Sequence, residues 1–434
     1  MLSRKITIAA TLMAAAWAVA PAGAQPAGLR AAAVKVDITP TTSKYLVGYG
    51  ERKNTGVHDH IFTRVVALDD GSTQFFLASS DICLFAPSIY DEFAAELKTE
   101  TGIDRLQVWW ATTHTHSAPE VGPPGIPKVI MPERYNHAVD AEYTAFVESS
   151  LIAAVKEART KLEPARLVVG TGYSAANINR RATDIQGRSS LGLNPDGPVD
   201  RQINLLRLER PDGTPIALVS NYPVHGTSLG GENLLISGDV PGLVSQYVEE
   251  KIGAPMLFIN GAAGNLAPIY ETRRNFSDAH ITQFNQLLGD KILAANSVMK
   301  APVSNIHFQP GEKIVETARR HGFGWDDSVG DYLKAAPGED GVIRMPVRFL
   351  IVNNDLAIWT APVEMFCEIS MDIRSRSPYL HTFYFGYLNG WFGYLPTKQA
   401  FAEGGYETRT NPFTDSVEAD LKNVVIPELQ SRGH

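Results

Sequence analysis

The chain has 434 residues, a formal charge of −8, a hydrophobic content of 44% and two cysteines. This is the composition of an ordinary globular protein, and its acidic balance argues against nucleic acid or anionic membranes as partners. Cys83 and Cys367 are too few for a disulfide framework or a zinc ribbon, and the sequence leaves open whether they pair or sit as buried small hydrophobes.

The chain opens with Arg4 and Lys5, an apolar run over residues 6–20, and Ala22-Gly23-Ala24 before Gln25. This pattern predicts a signal peptide over residues 1–24 and an exported, soluble chain, periplasmic or secreted. Removing Arg4 and Lys5 takes the charge from −8 to −10. No later segment offers the roughly 20 apolar residues that span a bilayer, so no transmembrane anchor is expected. Strands are predicted at 33–38, 61–68, 74–78, 106–111, 166–170, 203–207, 215–220, 256–259, 347–352 and 356–359, from short apolar or alternating runs. Helices are predicted at 142–162, with Phe146, Leu151, Ile152 and Val155 near one face, and at 241–252, between Pro241 and Gly253. Two more follow at 281–299 and 416–429, the latter interrupted by Pro427. The polar stretch 316–341 reads as a long insertion over one face. Without repeats or a Ser/Gly linker, the expectation is an α/β (α+β) layered fold, mixed sheets flanked by helices, in one large domain over 25–434.

Thr113-His114-Thr115-His116-Ser117 follows the apolar strand that ends near Ala111. Histidines at i and i+2 of an extended backbone point to one side, a geometry that suits a transition metal. Two unrelated polar loop residues would leave the same trace. His225 follows the 215–220 strand and Glu364 follows the 356–359 strand. Ligands in layered sheets gather beyond the carboxyl ends of strands, although His225 also fits a hydrogen-bonded loop residue and Glu364 a solvated turn. Ser237-Gly238-Asp239 and Gly261-Ala262-Ala263-Gly264-Asn265 match neither a P-loop nor a dinucleotide fingerprint. His58-Asp59-His60 is a competing metal motif, with no carboxylate or histidine set left to complete it.

Together these motifs resemble the catalytic domain of the neutral, non-lysosomal ceramidases. The resemblance runs from Asp37-Ile38-Thr39-Pro40 to Tyr406-Glu407 and includes Gly56-Val57-His58-Asp59, Asn179-Arg180 and Pro362-Val363-Glu364. It implies one catalytic zinc per chain held by His114, His225, Glu364 and Tyr394. It implies His116 as acid/base, and Arg180 and Tyr406 facing the scissile amide. It makes His58 structural. Ala267 stands where the family has a serine, and no C-terminal β-sandwich is expected. The implied activity is a zinc-dependent hydrolase that uses metal-activated water on a small or lipid-like N-acyl amide. The Gly264, Asn265 and Ala267 turn would orient the substrate. Phe383, Phe385, Trp391 and Phe392 are candidates for an acyl pocket or for simple core packing. An esterase or lactonase on the same site, or a weakly catalytic zinc- or lipid-binding relative, are the alternatives.

Overall fold

A computed structural model describes residues 28–272 and 279–433. The leader expected over residues 1–24 lies outside the described residues. Strands β1 (Arg30–Asp37), β2 (Phe62–Asp69) and β3 (Gln74–Ser80), helix α1 (Pro87–Thr101), strand β4 (Val108–Thr112) and helix α2 (Ala141–Thr160) form the first layer pair. The sheet order is β4-β3-β2-β1, with Glu163–Pro164 pairing briefly at the edge beyond β1. Only β3 and β4 run parallel, and α1 supplies the crossover that parallel pairing needs. All five residues of β4 are buried. Trp110 packs toward the helices and Trp109 toward the opposite face, the period-two alternation of a strand covered on both sides.

The chain continues through β5 (Arg166–Tyr173), the hairpin β6 (Asn177–Thr183) and β7 (Ser189–Asn194), then β8 (Gln202–Glu209), β9 (Pro215–Tyr222), helix α3 (Asp239–Ile252), β10 (Met256–Asn260), β11 (Leu266–Pro268) and helix α4 (Asp290–Val298). Here the order is β10-β9-β8-β5, while β11 joins the hairpin in a small sheet β11-β6-β7. The last part is β12 (Phe308–Ala318), β13 (Val342–Val352), β14 (Leu356–Thr360), β15 (Glu364–Met365), helix α5 (Cys367–Arg376), β16 (His381–Tyr384), β17 (Tyr394–Leu395) and helix α6 (Val417–Arg432). Its sheet runs β12-β13-β14-β16, and β15 pairs with β17.

The three large sheets each turn one face to a shared apolar cluster that includes Trp109, Leu167, Val219, Phe308, Leu350 and Phe383. Their other faces are covered by their own helices. The result is the layered α/β arrangement expected from the sequence, and all ten expected strands are present. Four details differ. Phe146 is 42% exposed, because Tyr143, Val147, Leu151 and Val155 already fill the buried stripe of α2. The expected helix at 281–299 is broken by a π-helical turn at Asn285–Gly289. Helix α6 continues through Pro427 to Arg432, held by the buried Leu421, Val425 and Leu429. The stretch expected as an insertion begins in strand β12, and its Phe323 and Val329 are buried in the core beneath α6.

Candidate metal centre and active site

Three strand ends converge. Beyond β4 the backbone turns sharply at His114, whose φ of 65° is left-handed. The two histidines therefore do not share an extended strand. Instead their rings stand nearly perpendicular, at 85°, with Nε2 atoms 3.3 Å apart. Thr115 bridges to Gly226, and the His116 N–H donates to the Gly226 carbonyl at 2.8 Å. A Cβ at Gly226 would lie 2.6 Å from the His114 carbonyl oxygen, so only glycine lets the two histidine loops touch. Strand β15 brings Glu364, and its parallel partner β17 sets Tyr394 in register beside it.

The Nε2 of His225 lies 3.0 Å and that of His114 3.4 Å from Glu364 Oε2. Ligands about 2.05 Å from a tetrahedral zinc lie roughly 3.3 Å from one another, so these separations fit such an ion. The three donors lie within 4.8 Å of one another. The orientation of the rings fits as well. His114 Nδ1 sits 3.0 Å from the Cys83 carbonyl and His225 Nδ1 2.8 Å from the Leu266 carbonyl. Protonated Nδ1 atoms leave both Nε2 lone pairs facing inward. Trp391 Nε1 donates to Glu364 Oε1 at 2.8 Å, and the Tyr387 hydroxyl approaches Oε2 at 3.4 Å.

The electrostatics of the three donors are compatible with a cation. Glu364 is 2% exposed, and burial opposes its charge, yet His114 and His225 hold its carboxyl well below the usual range. Burial likewise opposes a charge on His114, but Glu364 and Cys83 outweigh it and push the imidazole up to about 10. A buried carboxylate thus recruits a proton onto a neighbouring imidazole, a role a divalent ion fills directly. His225 is pushed down to about 3 by burial and by Arg180. Burial and the two other imidazoles hold His116 well below the ordinary histidine value.

Arg180 Nη1 donates toward His225 Nε2 at 2.9 Å, and its Nε donates to Glu407 Oε1 at 2.9 Å. Arg181 Nη1 reaches the other oxygen of Glu407 at 2.8 Å. Adjacent strand residues normally point to opposite faces. The pairing of β6 with β7 slips between Asn179 and Arg181, and such a bulge turns both arginines toward one carboxylate. The Arg180 ring-side neighbour is Tyr394, with the guanidinium carbon 5.3 Å from the ring centroid. Tyr406 lies 5.6 Å from Tyr394, centroid to centroid.

His116, Arg180, Tyr394 and Tyr406 open onto a cavity of about 610 Å³, together with Gly48, Tyr49 and Ala267. Gly48, at φ 102°, lies flat on the His116 ring; a Cβ there would come within 2.2 Å of Nδ1. Arg52 donates to the backbone carbonyls of both Val47 and His116. Gly48, Arg52, Tyr387 and Glu407 were not singled out from the sequence, and Trp391 was considered there only for an acyl pocket or core packing. Their roles arise from contacts between distant segments, and only the pairing of Glu407 with the Tyr406 motif was visible in advance.

The turn over residues 264–267 divides. Ala267 lines the cavity. Gly264 and Asn265 do not line it and instead support its wall. Gly264 N–H donates to the Met365 carbonyl at 2.9 Å, and Asn265 bonds Glu368 and the Cys367 N–H at 2.7 and 3.0 Å. Phe383 and Phe385 lie in the inter-sheet core and Phe392 in the core under α6, so of the two readings open to them, acyl pocket or core packing, the structure gives core packing. His58 pairs with Asp59 at 2.7 Å, and Asp59 accepts from Ser237 and from the Gly238 N–H. That network ties two loops together as a structural motif would. Cys83 and Cys367 are both buried and unpaired.

A family model described as neutral/alkaline non-lysosomal ceramidase, N-terminal, matches residues 31–272. The chain is 29% identical over 264 residues to a neutral ceramidase of Pseudomonas aeruginosa, covering 57% of this chain and 38% of that protein. It is 27% identical over 234 residues to neutral ceramidase B of Dictyostelium discoideum, covering 50% of this chain and 31% of that protein. The match thus spans well under half of either relative. The fold is similar to the crystal structure of neutral ceramidase from Pseudomonas aeruginosa, with a TM-score of 0.77 at 19% identity over 93% of this chain and 74% of that one. A structure titled ceramidase complexed with C2 gives a TM-score of 0.77 at 18% identity, covering 93% of this chain and 76% of that one.

Proposed function

The chain belongs to the neutral/alkaline non-lysosomal ceramidase family, and we propose that it is a metal-dependent hydrolase cleaving a linear amide bond in an N-acyl substrate. The observation that carries this reading is the convergence of His114, His225 and Glu364 at the edge of a cavity lined by His116, Arg180, Tyr394 and Tyr406. His114, His225, Glu364 and Tyr394 would hold one zinc. Bound there, zinc supplies a Lewis acid and a water acidified to a pKa of about 7.

The protein groups divide the remaining work. His116 lies outside the His114, His225 and Glu364 set, although it also forms a donor group with Cys83 and His114; with its Nε2 beside His114 and its pKa held low by burial, it accepts a proton from the attacking water and returns it to the leaving amine. Arg180 has a buried Nη2 without a partner among the described residues. That N–H and the Tyr406 hydroxyl donate to the carbonyl oxygen as it gains charge. No serine lines the cavity among the described residues. Ser117, Ser228 and Ser237 are buried and bonded to Asn233, Tyr270 and Asp59. An acyl-enzyme step therefore has no obvious nucleophile, and direct attack by water fits the site. We read residues 25–434 as one exported catalytic domain, supported by the single apolar cluster that all three sheets share.

The test is metal analysis after zinc-supplemented expression, followed by assays on N-acyl amides, p-nitrophenyl esters and lactones with and without chelator. About one zinc per chain and chelator-sensitive amide cleavage are expected. Protein free of transition metal, or turnover indifferent to chelation, would overturn the reading. A strong preference for esters or lactones would move the reaction class.

A further inference from the structure

The cavity lining carries both apolar and cationic side chains. Leu191 and Leu193 of β7 are 54% and 62% exposed and line the same space as Ile269. Residues at i and i+2 share a strand face, so the two leucines form one apolar strip. The lining also includes Arg134, in the short turn Pro132–Arg134 and near Tyr406, whose phenol is raised by burial and Glu364 against the opposing charges of Arg180 and Arg134. The Arg134 side chain is only 27% exposed. Among the described residues its guanidinium makes no hydrogen bond, and its ion pair is a 4.0 Å approach to the neighbouring Glu133, itself 70% exposed. The other guanidinium on the cavity, Arg180, holds Glu407 and His225 through Nε and Nη1, and its remaining Nη2 is the donor assigned above to the scissile carbonyl. Glu271, the carboxylate on the cavity wall, has a partner of its own.

A cavity-lining guanidinium that makes no hydrogen bond to the described residues keeps its fork of N–H donors free for a ligand. A neutral alcohol headgroup offers it only ordinary hydrogen bonds. A carboxylate offers two parallel charge-assisted ones. We propose that the substrate is an N-acyl amide with a carboxylate on its amine half, an N-acyl amino acid, with Arg134 as the residue that selects it. The hydrocarbon chain lies on Leu191 and Leu193, and the carboxylate meets Arg134. This rests on the amidase reading above and narrows its substrate class.

Binding separates this inference from that reading. The zinc-supplemented His116→Ala chain is titrated calorimetrically with N-octanoylglycine and with neutral N-octanoylethanolamine. The glycine conjugate should bind at least about tenfold tighter, the worth of a charge-assisted hydrogen bond. Adding Arg134→Gln should shrink the difference to within about twofold, and Arg134→Lys should restore part of it. Equal binding, a preference that survives Arg134→Gln, or no binding of either would overturn the inference. Turnover of both amides at equal kcat/KM would also overturn it while leaving the amidase standing. A glycine preference in binding without turnover of either compound would uphold the Arg134 site and count against the amidase.

Discussion

At the scale of single residues, the site works by fixing one imidazole from several sides. His116 is pressed by Gly48, edged by Tyr49 at 5.1 Å and held through its carbonyl by Arg52. None of these contacts passes through the donor triad of His114, His225 and Glu364. His116→Ala should therefore retain zinc and lose turnover by roughly 10²- to 10⁴-fold, the usual worth of general acid–base catalysis. Metal content and kcat measured on the same preparation check this. Loss of zinc along with activity would make His116 a ligand instead.

At the scale of elements, two short pairings matter more than the long strands. The two-residue ribbon of β15 and β17 carries Glu364 and Tyr394, and Gly264 packs against its backbone. A Cβ at Gly264 would lie 2.5 Å from the Glu364 carbonyl oxygen. Gly264→Ala should displace the ribbon, at a cost of about 1–3 kcal/mol, and weaken zinc binding by about tenfold or more. Thermal melting and competition with a zinc indicator test it; unchanged zinc affinity would show that the ribbon tolerates the shift. On the helical face, burial and the nearby Glu92 and Glu96 push Glu148 of α2 up to about 7, from 4.5. A carboxyl raised on folding binds its proton more tightly in the native state. Its contribution is therefore present below about pH 4.5 and is lost as the pH rises to about 7. Because the group is partly exposed, the loss is discounted to about 1 kcal/mol. Glu148→Gln should leave Tm nearly unchanged close to pH 4.5 and raise it by about 1 °C near pH 8. Equal shifts at both values would remove Glu148 as the cause.

At the scale of the whole molecule, no helix among the described residues is long and apolar enough to cross a membrane. The sequence pattern over residues 1–24 is the basis on which we propose export. Mass spectrometry of protein taken from the native cell envelope should find Gln25 at the amino terminus; an intact Met1 would contradict cleavage. The three sheets share one apolar cluster, so their strand ends are held in a fixed relation. That rigidity lets residues more than 200 positions apart meet, as Arg180 and Glu407 do at 2.9 Å.

The sequence by itself determined ten of the strands, because short apolar runs bounded by turn residues leave a local signal; the hairpin β6–β7, the edge strand β12 and the two-residue ribbon β15–β17 carry no such run and emerged only in the fold. It also pointed to the chemistry we propose, since His114, His116, His225 and Glu364 each follow such a run. The tertiary structure decided where each of these residues stands and what it touches. The left-handed turn at His114, the bulge beside Arg180 and the close approaches of Gly48, Gly226 and Gly264 are set by contacts across the fold. The same is true of the aromatic residues. Trp391 became a hydrogen-bond donor to Glu364, whereas Phe383 and Phe385 became core. An aromatic side chain reads alike in all three places, and only its neighbours separate the roles.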